Sequence, residues 1–350
     1  MHTYAFWRMT GVIEKLSPYY RKQFNYLGII LWASIFLSII YGHTRSGWIA
    51  TLLEFFGMTG FAIVFLLAVC FLMVDIITGF GLFMPNASQS LRGWAIVIAC
   101  ILTIIAFIQG LRPPIIKHYT CQLNSQNNQI KPFQIAVLSD LHIGKFIGAT
   151  WLKNRVDQVM MLKPDMIVLL GDIFDGHGFC GNDYLNILKQ LKARLGVYAI
   201  LGNHEHHDTI EPILQLYQNA GIVCLQNQWH VIQPGLNIVG IDFYSKGYQT
   251  PNKEQLIQEI LNKRPEGTTI LLTHPPLYPD IAANNGVDLM LCGHTHGGQI
   301  WPFGYIVYLR YHVLVGEYHI NSMPLIISRG TGTWGPRMRL WYPGEILLIN

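Results

Sequence analysis

The stretch Ala136-Val137-Leu138-Ser139-Asp140-Leu141-His142 decides how the C-terminal two thirds of the chain is read. A short apolar run suits a buried strand, and an Asp-x-His pair stands where that run stops. The same arrangement recurs downstream. Val168-Leu169-Leu170-Gly171-Asp172-Ile173-Phe174-Asp175 ends in carboxylates, and Ala199-Ile200-Leu201-Gly202-Asn203-His204-Glu205 in an amide and an imidazole. Ile270-Leu271-Leu272-Thr273-His274 ends in an imidazole, and a further apolar run leads into Gly293-His294-Thr295-His296-Gly297-Gly298-Gln299. In open α/β sheets, ligands bind beyond the carboxyl ends of the strands. Five strand ends are therefore expected to bring Asp140, His142, Asp172, Asn203, His274, His294 and His296 to one edge of one sheet.

Outward from these strands the pattern is that of an α/β domain, with apolar runs at 133–139, 166–170, 197–201, 236–241, 269–273 and 288–291. Helical periodicity separates them at 150–162, 184–195, 210–220 and 253–262. In the tail, 304–315, 317–320, 325–328 and 345–349 look like strands of a second sheet. The expectation is two packed sheets flanked by helices.

The region before residue 112 differs in kind. The chain of 350 residues is 51% hydrophobic and 13% charged, against about 25% charged in ordinary soluble proteins, and the apolar excess sits near the N-terminus. Apolar runs at 24–41, 48–83 and 94–111 are each compatible with a transmembrane helix, which takes about 20 residues. The middle run has candidate breaks at Gly57 or at Gly79-Phe80-Gly81. Trp7, Trp48 and Trp94 stand at run edges, as an aromatic belt requires, and Asp75 is read as lying at the membrane interface. No short apolar core with a cleavage site marks a removable signal peptide. Three spans with four Lys/Arg before the first would put the C-terminal domain outside by the positive-inside rule, and a fourth span would reverse this. The organisation expected is a membrane region over 1–112, a linker over 113–132 with a surface turn at 124–129, and a domain over 133–350. The localisation expected is a cell (inner) membrane, multi-pass.

The net charge of +4 comes with no basic run, so no nucleic-acid partner is expected. Six cysteines without a C-x-x-C pair argue against a zinc ribbon. The strand-end set is imidazole, carboxylate and one amide, without thiolate, which suits Mn, Fe or Zn. Two such ions about 3.5–4 Å apart clamp the attacking and leaving oxygens of an in-line displacement at phosphorus and generate hydroxide from water at neutral pH. Asp172 is the natural bridge, and His204 is placed to protonate the leaving oxygen.

The ordered set Asp140-x-His142, Gly171-Asp172-x-x-Asp175, Gly202-Asn203-His204-Glu205, His274 and Gly293-His294-x-His296 resembles the calcineurin-like metallophosphoesterase superfamily over residues 133–350. The resemblance implies a four-layer α/β/β/α sandwich, here preceded by an α-helical transmembrane region, and a dinuclear centre of two divalent metal ions. It implies one ion on Asp140, His142, Asp172 and His296, a second on Asp172, Asn203, His274 and His294, and His204 as acid. The tail Ser328-Arg329-Gly330-Thr331-Gly332-Thr333-Trp334 with Pro343-Gly344-Glu345-Ile346 is similar to a membrane-anchored bacterial subgroup. That subgroup includes enzymes acting on the pyrophosphate of UDP-diacylglucosamine, so a lipid-linked phosphorylated substrate fits. The rival readings are a metal-stabilised, non-catalytic membrane binding or regulatory protein and a nucleic-acid phosphodiesterase. Asp175 and Glu205 are read as supports rather than ligands. His206 and His207 are read as solvated, and His177, His230, His312 and His319 as ordinary. Arg329 is balanced between a substrate phosphate and a structural role, and Trp301, Phe303 and Tyr305 are assigned to core packing over an acyl-lined groove.

Overall fold

The strands and helices of this computed structural model are described for residues 1–16, 18–42, 45, 47–123, 130–175, 182–207, 209–242 and 253–350. The expected turn at 124–129 and His177 lie outside them. The chain divides into two units, one of Met1–Arg112 with Ile300–Pro302 and Gly335–Trp341, the other of Pro113–Gln299, Phe303–Trp334 and Tyr342–Asn350.

The first unit is helical: α1 (His2–Leu16), α2 (Arg21–Leu37, prolonged by a π-helical turn to Gly42), α3 (Trp48–Thr78) and α4 (Pro85–Leu111). Arg21–Gly42, Trp48–Thr78 and Pro85–Leu111 are long and apolar enough to cross a membrane. Helix α3 runs through Gly57 without a break and stops at Thr78, where Gly79 takes a left-handed φ of 57° as a C-terminal cap. Helix α4 starts at Pro85, nine residues before the apolar run at Trp94, because proline suits the first turn of a helix. Ala62 and Leu66 of α3, Ala106 of α4, and Ile300, Met338 and Leu340 form one buried cluster of this unit.

Asp75 sits in the packed interior of this helical unit. It is fully buried and accepts hydrogen bonds from Tyr4 Oη (2.6 Å), Arg8 Nε (2.7 Å) and Arg92 Nε and Nη2 (3.0 and 2.7 Å). The guanidinium of Arg8 lies 3.8 Å from the centre of the Trp7 ring. One carboxylate thus ties α1, α3 and α4 together through two guanidinium groups and a phenol.

The second unit has two six-stranded sheets. The first contains, in spatial order, β1 (Ile115–Tyr119), β12 (Glu345–Ile349), β2 (Ile135–Leu138), β3 (Met166–Leu170), β4 (Val197–Ile200) and β5 (Val223–Cys224). The second runs β10 (Gly316–Ile320), β11 (Met323–Ile327), β9 (Leu289–Cys292), β8 (Thr268–Thr273), β7 (Leu236–Ile241) and β6 (Gln228–Gln233). Strands β2 to β5 are parallel, as are β7, β8, β9 and β11. Alternation along each strand explains the layering. Ile135, Val137, Met166 and Val168 point to Ile270, Leu272, Leu289 and Leu291 in the core between the sheets. Their neighbours Ala136, Leu138, Ile167 and Leu169 pack under α5 (Ala149–Met161), α6 (Asn182–Leu188) and α7 (Glu211–Ala220). On the far face Leu271 and Met290 pack under α8 (Lys253–Asn262) and α9 (Pro279–Asn284). The layers are α/β/β/α.

Three readings of the sequence are corrected. Residues 304–315 hold a helix, α10 (Gly304–Tyr311), rather than a strand. The last strand, β12, lies antiparallel to β2 in the first sheet, not the second. The stretch 113–132 carries β1, which pairs in parallel with β12.

Candidate metal centre

The site forms where strands of both sheets end, not at the edge of one. Asp140 and His142 follow β2, Asp172 follows β3, and Asn203 and His204 follow β4, all in the first sheet. His274 follows β8, and His294 and His296 follow β9, in the second. Facing sheets let the two sets approach from opposite sides.

Backbone hydrogen bonds fix the loops before any side chain is placed. Asp140 N donates to Gly171 O (3.0 Å), His142 N to Asp172 O (3.0 Å) and Gly293 N to His274 O (2.9 Å). The tail segment joins them, with Thr331 N on Ser139 O (2.7 Å) and Gly332 N on Asp140 O (3.0 Å). The glycines before the ligands have a steric reason: a Cβ on Gly202 would strike Asp172 Oδ1, and one on Gly293 would strike Ser139 Oγ. Asp140, His142, Asp172, His294 and His296 all have φ between 50° and 70°. Left-handed backbone costs about 1–2 kcal/mol at a residue with a Cβ. Such strain persists where surrounding structure imposes it and is concentrated at functional sites.

The side chains converge. Ligand atoms of Asp140, His142 and His296 lie within 4.8 Å of one another, as do those of Asp172, His274 and His294 and those of His142, Asp172 and His204. His142 Nε2 stands 3.1 Å from His296 Nε2, and His296 Nε2 3.3 Å from Asp140 Oδ1. His274 Nε2 is 3.0 Å from Asp172 Oδ2, while its Nδ1 is 2.7 Å from the Leu170 carbonyl. Asn203 Oδ1 is buried with no hydrogen-bond partner. Two imidazole nitrogens facing each other and an orphaned amide oxygen are poor packing, and they fit cation binding. Six of the seven residues expected at the site, Asp140, His142, Asp172, His274, His294 and His296, come together in these groups, and Asn203 stands on the loop after β4 next to His204.

Two supports proved more specific than their sequence suggested. Asp175 Oδ1 lies 2.6 Å from His142 Nδ1 and 3.1 Å from His204 Nδ1, so one carboxylate holds both rings. Glu205 accepts from the backbone N–H of Asp172 (2.9 Å), Ile173 (2.6 Å), Phe174 (3.0 Å) and Gly202 (2.7 Å). It stitches the loop after β3 to the loop after β4. The Gly-Asn-His-Glu spacing marks Glu205 in the sequence, but its four donors become visible only in the fold.

The other candidates have ordinary partners. Arg329 Nε is 2.8 Å from Glu345 Oε2, and its backbone N donates to Glu345 Oε1 (3.0 Å). His206 Nε2 pairs with the buried Asp242 at 3.0 Å. The His207 ring lies tilted 4.7 Å from that of His204, His230 lies 5.5 Å from the Tyr198 ring, and His319 pairs with Glu317 at 3.6 Å. Phe303 and Tyr305 are exposed, against the core reading, whereas Trp301 is partly buried beside Ile300 and Met338.

Charge in the site is one-sided. Asp140 and Asp172 are buried and Asp175 half-buried, and desolvation pushes their carboxyls up, but the adjacent histidines win and hold all three below the usual range. The reciprocal effect acts on the rings. Burial pulls His142 and His274 down, yet the carboxylates outweigh it: Asp175 beside His142 raises it to about 9, and Asp172 beside His274 raises it to about 10. His294, pushed down by burial and by His274, falls to about 4 and stays a neutral donor. Three carboxylates balanced only by titratable rings are a cavity that a divalent cation completes.

The sequence profile of the calcineurin-like phosphoesterase family matches residues 133–298. An uncharacterized metallophosphoesterase of Campylobacter jejuni is 30% identical over 73% of this chain and 68% of its own length. One of Helicobacter pylori is 33% identical over 70% and 65%. A transmembrane protein with metallophosphoesterase domain from Danio rerio is 28% identical over 73% and 61%. The matches span about two thirds of the length of these relatives.

Proposed function

This chain belongs to the calcineurin-like phosphoesterase family, and from that premise we propose that it is a membrane-anchored, two-cation hydrolase of a phosphoester or pyrophosphate bond in a lipid-linked substrate. The observation carrying this is that two of the three groups of ligand atoms, Asp140/His142/His296 and Asp172/His274/His294, share no residue. Asp172 joins them, since His142 Nε2 lies 4.0 Å from Asp172 Oδ2. Asp140, His142, Asp172 and His296 would hold one divalent cation, and Asp172, Asn203, His274 and His294 the other. When bound, such a pair supplies Lewis-acid polarisation of phosphorus and lowers the pKa of water. The metals suited to this donor set are Mn, Fe or Zn.

The chain's own residues do the rest. Asp175 fixes the rings of His142 and His204, as carboxylates commonly orient metal-ligating histidines. His204, whose backbone N donates to Asp172 Oδ1 at 2.8 Å, sits beside the ligands and is the acid that gives a proton to the leaving oxygen. The three apolar helices keep the protein in a cell membrane, multi-pass, where a lipid-borne phosphate is available.

The test counts metals per chain and turnover on a chromogenic phosphodiester and on a nucleotide-linked lipid pyrophosphate. His294→Ala and His296→Ala should each hold about one cation fewer than the parent and lose turnover, from different halves of the site. Undiminished turnover in either variant rejects the two-cation mechanism. Hydrolysis of the soluble ester without release from any lipid extract rejects the lipid-linked substrate alone.

A further inference from the structure

Helix α10 has its wrong side to water. Gly304 is buried and Val307 and Tyr311 are half-buried, an i, i+3, i+7 stripe that marks the inner face. On the outer face Tyr305 (67% exposed), Ile306 (55%), Tyr308 (48%) and Leu309 (75%) face outward. Arg310, also exposed, adds a cation at the end of the helix. Large apolar residues side by side on a short surface helix mark a contact surface. Two tyrosines, two aliphatics and an arginine are the chemistry of the lipid–water boundary, where amphipathic rings sit at headgroup level and a basic end meets phosphate.

The chain's course also identifies the occupant. The residues just before the helix, Ile300–Pro302, belong to the apolar helical unit, where Ile300 is buried with Ala62 and Leu66 of α3 and Ala106 of α4. α3 and α4 are two of the three helices able to cross a membrane. We propose that the outer face of α10 seats in the lipid–water boundary of the same bilayer, as an interfacial contact separate from the spans.

The seat bears on the site because α10 is fastened to the histidine turn. Thr295 Oγ1, between His294 and His296, donates at 2.6 Å to the carbonyl of Leu314, three residues past the end of α10, and Leu314 N donates to Tyr318 Oη at 3.0 Å. The ring of Tyr311 lies 5.6 Å from that of His294. Seating α10 in lipid thereby holds His294 and His296 close to the headgroup layer. The seat itself does not depend on the two-cation reading.

The test places the photoreactive residue p-benzoylphenylalanine at Tyr305, Tyr308 or Trp229 of the full chain in nanodiscs of phosphatidylethanolamine and phosphatidylglycerol. Trp229, exposed on β6, is the control. After irradiation, intact-mass measurement should show lipid adducts at positions 305 and 308 at least several-fold above those at 229. Adding Ile306→Asp and Leu309→Asp should reduce the adducts at 308 several-fold while metal content stays at the parent value. Equal adducts at 308 and 229, no lipid adducts at 305 and 308, or cross-links to a second copy of the chain would each overturn the proposal. Because this readout needs no hydrolysis, it can fail while the proposed activity stands, and the reverse.

Discussion

Two buried carboxylate centres in this chain resolve the same electrostatic problem differently. In the helical unit, Asp75 is met by the guanidinium groups of Arg8 and Arg92 and by the phenol of Tyr4. In the α/β unit, Asp140 and Asp172 are met by imidazoles, whose charge is exchangeable. The first arrangement is closed and needs nothing further. The second leaves negative charge for a cation to take. A buried acid is therefore informative about function only together with the kind of cation that answers it.

Breaking the closed centre should have the largest effect on stability. Asp75→Ala leaves two buried guanidinium groups uncompensated and is expected to cost about 3–5 kcal/mol, read as a lowered unfolding midpoint in detergent, with metals per chain unchanged. Lost metal in that variant would erase the distinction between the centres. At the open centre, His204→Ala should lower kcat by about 10²–10³-fold with metal content retained, because its ring is assigned a proton and not a cation. Loss of metal from that variant would instead make His204 a ligand with His142 and Asp172. Asp175→Asn should weaken metal affinity by about 10–100-fold, seen by calorimetry, since it frees two rings without removing a ligand.

The smallest effect is a pH dependence of the chelated protein. His142 and His274 have pKa values raised to about 9 and about 10. The stabilisation from their protonation is complete below about pH 6.5, the ordinary histidine value, and is lost as pH rises through about 9 and then about 10. The unfolding temperature of the chelated protein should thus fall between pH 7 and 10. Cations replace those protons, so metal-loaded protein should lack this decline and metal affinity should weaken as pH drops.

The strand-end candidates are legible because short apolar runs stopping at Gly-Asp, Gly-Asn-His or Gly-His-x-His leave little choice of geometry. What escaped the sequence was pairing at a distance. No local pattern pairs Asp75 with Arg8, 67 positions away, or with Arg92, 17 away. The assignment of β12 to the first sheet rests on its pairing with β1 and β2, which no local pattern encodes. Residues 304–311 mislead for a different reason: Tyr-Ile-Val-Tyr-Leu has the β-branched and aromatic composition of a strand, and the helical stripe of Gly304, Val307 and Tyr311 is only three residues long. Asp175 was seen as a support, but its hold on two rings at once depends on His142 and His204 arriving from different strands.

The left-handed backbone at Asp140, His142, Asp172, His294 and His296 has a consequence for the protein's life in the cell. At about 1–2 kcal/mol each, these five positions draw on a total folding stability that is typically about 5–15 kcal/mol. Bound cations restore that stability by mass action. On the two-cation reading, metal starvation would raise the unfolded fraction exposed to proteases. Steady-state abundance should then follow divalent-cation supply, and a variant with glycine at one of these ligands, though inactive, should outlast the parent protein in chelator-treated cells.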